Sequence, residues 1–218
     1  MDRDLFTAHA LHVAPRVLGA RLRVDSKDGP VALRITEVEA YHGVGVPGPY
    51  DAGSHSRDRK TERNASMFGP PGHAYVYFTY GMHYALNLVC SPEGTASAVL
   101  IRAGEIVEGV ELAEERRRST RRSDAPELPG RMLARGPGNV AAALGIVRKS
   151  HDGLDPFDLP FAIDPAPHPP TKIATGPRVG VAGAAGSPEF PWRFWITGDP
   201  TVSAFRPGRG APAWRPPR

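Results

Sequence analysis

Between Val31 and Tyr41 the chain reads VALRITEVEAY, with apolar and polar positions alternating at a period of two. That is the repeat of an extended strand. It places Val31, Leu33, Ile35, Glu37, Glu39 and Tyr41 on one face and Ala32, Arg34, Thr36, Val38 and Ala40 on the other. Two carboxylates therefore continue a face that begins apolar. Such a group is either a rim residue in water or a buried acid retained for a task. Downstream, Tyr75-Val76-Tyr77-Phe78-Thr79 is dense in strand formers, Tyr80-Gly81 interrupts it, and Tyr84 to Val89 returns. The pattern is that of a β-hairpin.

The rest of the pattern predicts strands over residues 20–25, 97–102, 178–182 and 192–198. Short helices are expected from Leu5 to Val13 and from Pro15 to Leu18, the second stopped by Gly19. Longer helices are expected over 105–118 and 137–146, the latter opened by Gly136-Pro137, with proline just inside its start. Strands interrupted by helices, and joined by hairpins rather than regular crossovers, predict an α+β fold. We expect a single domain over residues 1–205, with a curved antiparallel sheet and peripheral helices. A Pro/Arg-rich tail, 206–218, is expected to be disordered. Pro/Gly-rich loops are expected at 42–53 and 151–177.

Composition narrows the function classes. With 218 residues the chain can bury a core sufficient for independent stability. Cys90 is the lone cysteine, which rules out an intrachain disulfide and a cysteine-based metal or iron–sulfur site. The eight histidines form no His-Glu-x-x-His pattern. No apolar run reaches the ~18 residues of a membrane span, and residues 1–20 lack the apolar core of a signal peptide. An intracellular setting is expected. No glycine-rich nucleotide loop occurs, so no organic cofactor is expected, and no metal. The formal charge is +4, but Arg206, Arg209, Arg215 and Arg218 lie in an acid-free tail, which leaves 23 cations against 23 anions in the body. Net basicity therefore says nothing about nucleic acid, and only local clusters can. Two stand out: Arg57 to Asn64, which mixes cations with hydroxyl and amide donors, and Arg116 to Arg122 at a helix end, where cations also suit the macrodipole.

The window 67–87, MFGPPGHAYVYFTYGMHYALN, concentrates Tyr75, Tyr77, Tyr80 and Tyr84 with Phe68 and Phe78. An ordinary core is more simply built from Leu, Val and Ile, which carry no phenol to satisfy. Flat rings on a hairpin suit stacking on nucleobases, or else half-exposed strand positions. A set of ordered motifs decides between these: Glu39-Ala40-Tyr41, Ser54-His55-Ser56, Thr61-Glu62-Arg63-Asn64, Met67-Phe68, Tyr75-Val76-Tyr77, Tyr80-Gly81-Met82 and Asn87. Leu100-Ile101-Arg102-Ala103, Arg135-Gly136-Pro137 and Arg178-Val179-Gly180-Val181 follow. Together they resemble the alkyladenine (3-methyladenine) DNA glycosylase family over roughly residues 14 to 205.

The resemblance implies a monofunctional enzyme that flips a damaged purine out of duplex DNA and hydrolyses its N-glycosidic bond. It implies Glu39 and Arg102 as catalytic residues, with Glu39 activating water and Arg102 orienting it, and Glu37 as the rival carboxylate on the same face. Tyr41 and Tyr77 would stack on the base, His55 would meet its edge, and Asn87 would crowd the exocyclic amine of guanine. The hairpin would protrude, with Tyr80 inserting into DNA beside Met82. Thr61, Arg63 and Asn64 would contact phosphates. The implied partner is double-stranded DNA carrying damaged purines, and the implied state a monomer. Three features depart from the family pattern: a 42–54 loop about five residues longer, Glu62 in place of proline, and the poorly matching 151–177 segment. A non-catalytic reader of damaged DNA, or a glycosidase for RNA or nucleosides, is the alternative class.

Overall fold

A computed structural model describes residues 1–79 and 81–215. Its strands are β1 (Arg21–Val24), β2 (Val31–His42), β3 (Ala74–Thr79), β4 (His83–Val89), β5 (Ser97–Glu108), β6 (Ala134–Arg135), β7 (Phe161–Asp164), β8 (Ile173–Gly176) and β9 (Arg193–Ile196). They form one antiparallel sheet in the order β3-β4-β5-β2-β1-β7. β6 pairs with β5, and β9 pairs with both β2 and β8. The helices are short: α1 (Ala10–Val13), α2 (Val110–Ser119), α3 (Pro137–Leu144) and α4 (Arg148–His151). The fold is the expected α+β single domain. Among the described residues no helix is long and apolar enough to cross a membrane.

Alternation along the central strands sorts side chains into two clusters. Ala40, Val76, Leu88 and Val99 belong to the main core, with Val13, Val17, Val140 and Leu144 from the helical segments. Their chain neighbours Tyr75, Val89 and Ala98 belong to a smaller cluster with Met67 and Phe68, against which Tyr41 and Tyr77 pack. Because adjacent strand residues point to opposite faces, the two clusters lie on the two sides of the sheet. The aromatic face rests on an apolar foundation of its own.

β2 and β5 pair along most of their lengths, but the register shifts between Ile35 and Glu37 and again between Glu37 and Val38. At these two shifts Thr36 and Arg102 are passed over in the pairing. Such irregularities re-aim side chains. Here they bring Arg102 beside Glu37 and Glu39, an arrangement that a regular ladder does not supply. Thr36 is held instead by a side-chain hydrogen bond to Thr201, with the oxygens 2.7 Å apart. Gly104 is needed at the crossing, since a Cβ there would stand 2.4 Å from the Arg34 carbonyl oxygen.

Several expected elements shift. The helix expected over 105–118 starts later: β5 runs on to Glu108, Gly109 turns the chain at φ +69°, and α2 follows. Pairing with β2 overrides the helix preference of Glu105 and Glu108 there. No strand forms over 178–182. The Val179 amide donates to the Glu39 carboxylate and the Gly180 amide to the Arg206 carbonyl, so these N–H groups are diverted from any ladder. On its side away from β2, β9 pairs with β8, from the proline-rich 151–177 segment. At the start, residues Arg3–Thr7 and Ala14–Arg16 are 3-10 turns flanking α1 rather than longer helices.

The segment expected to be a disordered tail instead lies on the body as far as it is described. The Arg206 and Arg209 carbonyls accept from Gly180 and Gly183, and Trp214 packs edge-on against Trp195 and Phe205. Gly208 passes so close to Val181 that a Cβ would stand 2.2 Å from its carbonyl oxygen.

Candidate active site

On the aromatic side of the sheet opens a cavity of about 780 Å³. Glu39, Tyr41, His55, Tyr77, Asn87 and Arg102 all line it. These are the six residues expected for base binding and chemistry, drawn from β2, β3, β4, β5 and the 43–61 loop. Met67, Val179 and the start of α3 (Pro137 to Asn139) contribute further wall, and Arg206 stands at it from the segment 201–211, a strap laid along the body.

Glu39 is wholly buried, so the rim reading of its position falls away. One carboxylate oxygen accepts the Val179 amide at 2.7 Å and the other accepts the Tyr41 hydroxyl at 2.8 Å. The Arg102 Nε lies 3.5 Å from Glu39 and 3.1 Å from Glu37. Burial works against the charge on Arg102, but Glu39 and Glu37 outweigh it and raise its pKa, so it remains a cation. Burial and then Glu39 push the Tyr41 phenol well up, which keeps it a hydrogen-bond donor. Glu37 is equally buried but absent from the cavity wall. Of two acids on one strand, only Glu39 can meet a ligand.

The Tyr41 ring is fixed from behind. The Arg178 guanidinium sits 4.3 Å from its centroid and 4.8 Å from that of Trp192. Arg178 in turn donates to both oxygens of Asp51, at 2.7 and 2.6 Å, and to the Ala40 carbonyl at 3.1 Å. Asp51 comes from the long 42–54 loop and also caps Gly53. The loop is thus tied to the site by a buried ion pair.

Across the cavity, His55 meets Tyr77 edge-on, with ring centroids 4.6 Å apart. Although His55 keeps more than a third of its surface in solvent, desolvation by its neighbours, followed by Arg63 and Arg57, lowers its pKa. The buried Asn87 donates to the Tyr75 carbonyl at 3.0 Å, which fixes its orientation across the β3–β4 hairpin.

The remaining expected residues that are described fall outside this cavity. Met82, 71% exposed at the hairpin turn, points into solvent beside Gly81 at φ +67°. Tyr80, the expected inserting residue, lies outside the described residues. Arg63 donates to the Phe78 carbonyl at 3.3 Å and its guanidinium stands 5.7 Å from the Tyr77 centroid. Thr61 begins the 3-10 turn Glu62–Phe68 and is exposed. Asn64 behaves otherwise than expected of a phosphate contact: it is buried, accepts the Thr61 amide at 2.6 Å, and donates to the His55 and Arg59 carbonyls. Its amide holds the 55–61 loop in shape. The Arg116–Arg122 cluster is largely turned inward or onto its own chain: Arg116 and Arg117 donate to the Ala143 and Leu133 carbonyls, and Arg121 to that of Pro126.

Sequence reasoning missed Asp51 and Ser203, which carried no pattern, and the use of the Val179 amide, which side-chain motifs do not reveal.

A buried carboxylate, an arginine and aromatic side chains line one cavity on a sheet beside an exposed hairpin. The comparisons identify the family. A family model for methylpurine-DNA glycosylase matches residues 4–200. A protein of Leifsonia xyli subsp. xyli named "Putative 3-methyladenine DNA glycosylase" is 52% identical over 94% of this chain and 92% of its own length. Proteins of the same name from Streptomyces avermitilis and Mycobacterium tuberculosis (strain ATCC 25177 / H37Ra) are 50% and 45% identical, over 94% and 98% of this chain and 92% and 98% of their own. The chain belongs to the methylpurine-DNA glycosylase family and is a DNA glycosylase.

Proposed function

We propose that the protein excises alkylated or deaminated purines from duplex DNA, acting as a monomer inside the cell, with Glu39 as the base that activates water. The observation that carries the reading is the buried Glu39 carboxylate on the cavity wall, held by Tyr41, Val179 and Arg102.

A base in the helix hides its glycosidic bond, so the nucleotide must rotate into the cavity. Tyr80 and Met82 on the hairpin would fill the gap left behind, and Thr61 and Arg63 would hold flanking phosphates. Tyr41 and Tyr77 would take the faces of the base, each stack contributing about 1–3 kcal/mol. Alkylation at N3 or N7 makes a purine cationic, and electron-rich rings then add an attraction that an undamaged base lacks. Asn87 would crowd the exocyclic amine of guanine and so disfavour the normal base.

As the bond from C1′ to the base breaks, its electron pair leaves with the base and positive charge develops on the sugar, where the Glu39 anion stabilises it. Water attacks C1′ and gives its proton to Glu39. A cationic purine departs neutral without a general acid, and the product is an intact abasic site. No lysine takes part, so no strand cleavage accompanies release.

The test is incubation with duplexes carrying 3-methyladenine, 7-methylguanine, hypoxanthine or ethenoadenine, monitoring free base. Base release is expected from at least the methylated purines. Glu39→Gln should bind damaged duplex normally while single-turnover release falls about 10²–10⁴-fold. Undiminished release by that variant removes Glu39 from the role.

A further inference from the structure

Glu37 is a fully buried carboxylate that the reaction above does not use. Its surroundings are saturated. One oxygen accepts the Arg193 Nε at 2.7 Å and the Ser203 hydroxyl at 2.9 Å, and lies 3.1 Å from the Arg102 Nε. The other accepts the Ser203 amide at 2.7 Å. Burying a carboxylate this completely is costly unless cations and donors surround it, and here two arginines and one serine do so. The arginines are secured in turn. Arg193 donates to the Ser203 carbonyl at 2.7 Å and stacks on Trp195, while Arg102 Nε donates to the Ser203 hydroxyl at 3.2 Å.

Arg102 is the member that reaches the cavity; Glu37 and Arg193 do not. Its Nε lies nearer to Glu37 than to Glu39. A guanidinium faced by one carboxylate only would swing onto it. Faced by two, it is held between them, with part of its donor set left over for a ligand. The register irregularity at Arg102 supplies the backbone for this placement, and Ser203 from the strap closes it on the far side.

We propose that Glu37 is a positioning residue for base excision: through Arg102 it sets where the cation stands relative to Glu39 and the attacking water, without touching substrate itself. The inference rests on the glycosylase reading given above. It assigns Glu37 and Ser203 a role in rate rather than in DNA affinity, because neither lies on the cavity wall or the exposed hairpin.

The experiment compares wild type, Glu37→Gln and Ser203→Ala, each normalised to its folded fraction, for single-turnover base release and for the Kd of a damaged duplex. The Arg102 Nε–H is followed in parallel by NMR of arginine-labelled protein. Glu37→Gln should slow release about 10- to 100-fold, the scale of a misplaced catalytic group, with Kd within about twofold. Its Arg102 Nε–H should exchange with solvent at least about tenfold faster. Ser203→Ala leaves no buried charge uncompensated, so it folds even if the glutamine variant does not, and should show the same split on a smaller scale. Wild-type release rates in both variants overturn the proposal. So does a loss of rate matched by an equal loss of affinity, which marks a merely structural role. If wild type releases no base from any damaged duplex, the glycosylase reading fails first, and the Nε–H exchange still reports whether Glu37 holds Arg102.

Discussion

Tyr41 holds two positions at once: its ring faces the cavity and its hydroxyl donates to Glu39 at 2.8 Å. Stacking depends on the ring and orientation of the carboxylate on the hydroxyl, so a single-atom deletion separates them. A hydrogen bond to a charged group contributes about 1.5–3 kcal/mol. Tyr41→Phe should therefore lower single-turnover base release about 10- to 100-fold and leave affinity for a damaged duplex within about twofold. Equal losses in both measurements would show that the hydroxyl serves the fold rather than the carboxylate. That these residues belong together was legible only through the ordered motifs that resemble the family; period two by itself puts Glu37, Glu39 and Tyr41 on one face. The distinction between Glu37 and Glu39 rested on that resemblance alone. In physical terms, only the three-dimensional wall of the cavity separates the acid that meets a ligand from the acid that meets arginines.

At the scale of elements, the 42–54 loop is the addition that most affects the site. Asp51, nine residues beyond His42 in a Pro/Gly-rich run, reaches back to Arg178, and both side chains are fully buried. Removing one partner of such a pair strands the other charge in the interior, at about 3–5 kcal/mol. Asp51→Asn should lower unfolding free energy by about that much in a denaturant titration. Adding Arg178→Met to it should recover part of the loss, since no unpaired cation then remains. A double variant as unstable as the sum of the singles would show that the pair's charges are not what couples loop to strand. The ion pair was not visible in the sequence, where only the loop's Pro/Gly content and extra length marked it. The hairpin and β2 were visible, the hairpin through its density of strand formers interrupted at Tyr80-Gly81 and β2 through its period-two alternation. The helix expected from 105 was misplaced for a related reason: Glu105 and Glu108 favour helix locally, but the long-range pairing of β5 with β2 decides. Segment 178–182 failed as a strand because its amides serve a carboxylate and the strap, a use that no local pattern encodes.

For the whole molecule, the last described segment binds the parts of the site together. Thr201 meets the β2 irregularity, Ser203 meets Glu37 and Arg102, and the Arg206 and Arg209 carbonyls hold the loop whose Val179 amide reaches Glu39. The contacts from Arg206 and Arg209 are made by backbone, so they do not depend on the arginine charges that lift the net charge above zero. Truncation after Phe205 separates the two contributions. It frees the 179–183 loop, and a carboxylate that loses a fixed amide donor is misplaced on the scale that costs catalysis about tenfold or more. The truncated protein should keep its sheet and its far-ultraviolet circular dichroism, yet release base about tenfold more slowly in single turnover. The full-length double variant Arg209→Ala/Arg215→Ala retains the carbonyls and should match wild type in rate. If these arginines also meet phosphates, its binding should lose salt dependence by about 0.9 in log–log slope for each contact removed. A truncated protein with wild-type turnover would mean that the loop holds Glu39 unaided. A slow full-length double variant would mean that charge, not the backbone clasp, is what the strap brings to the site.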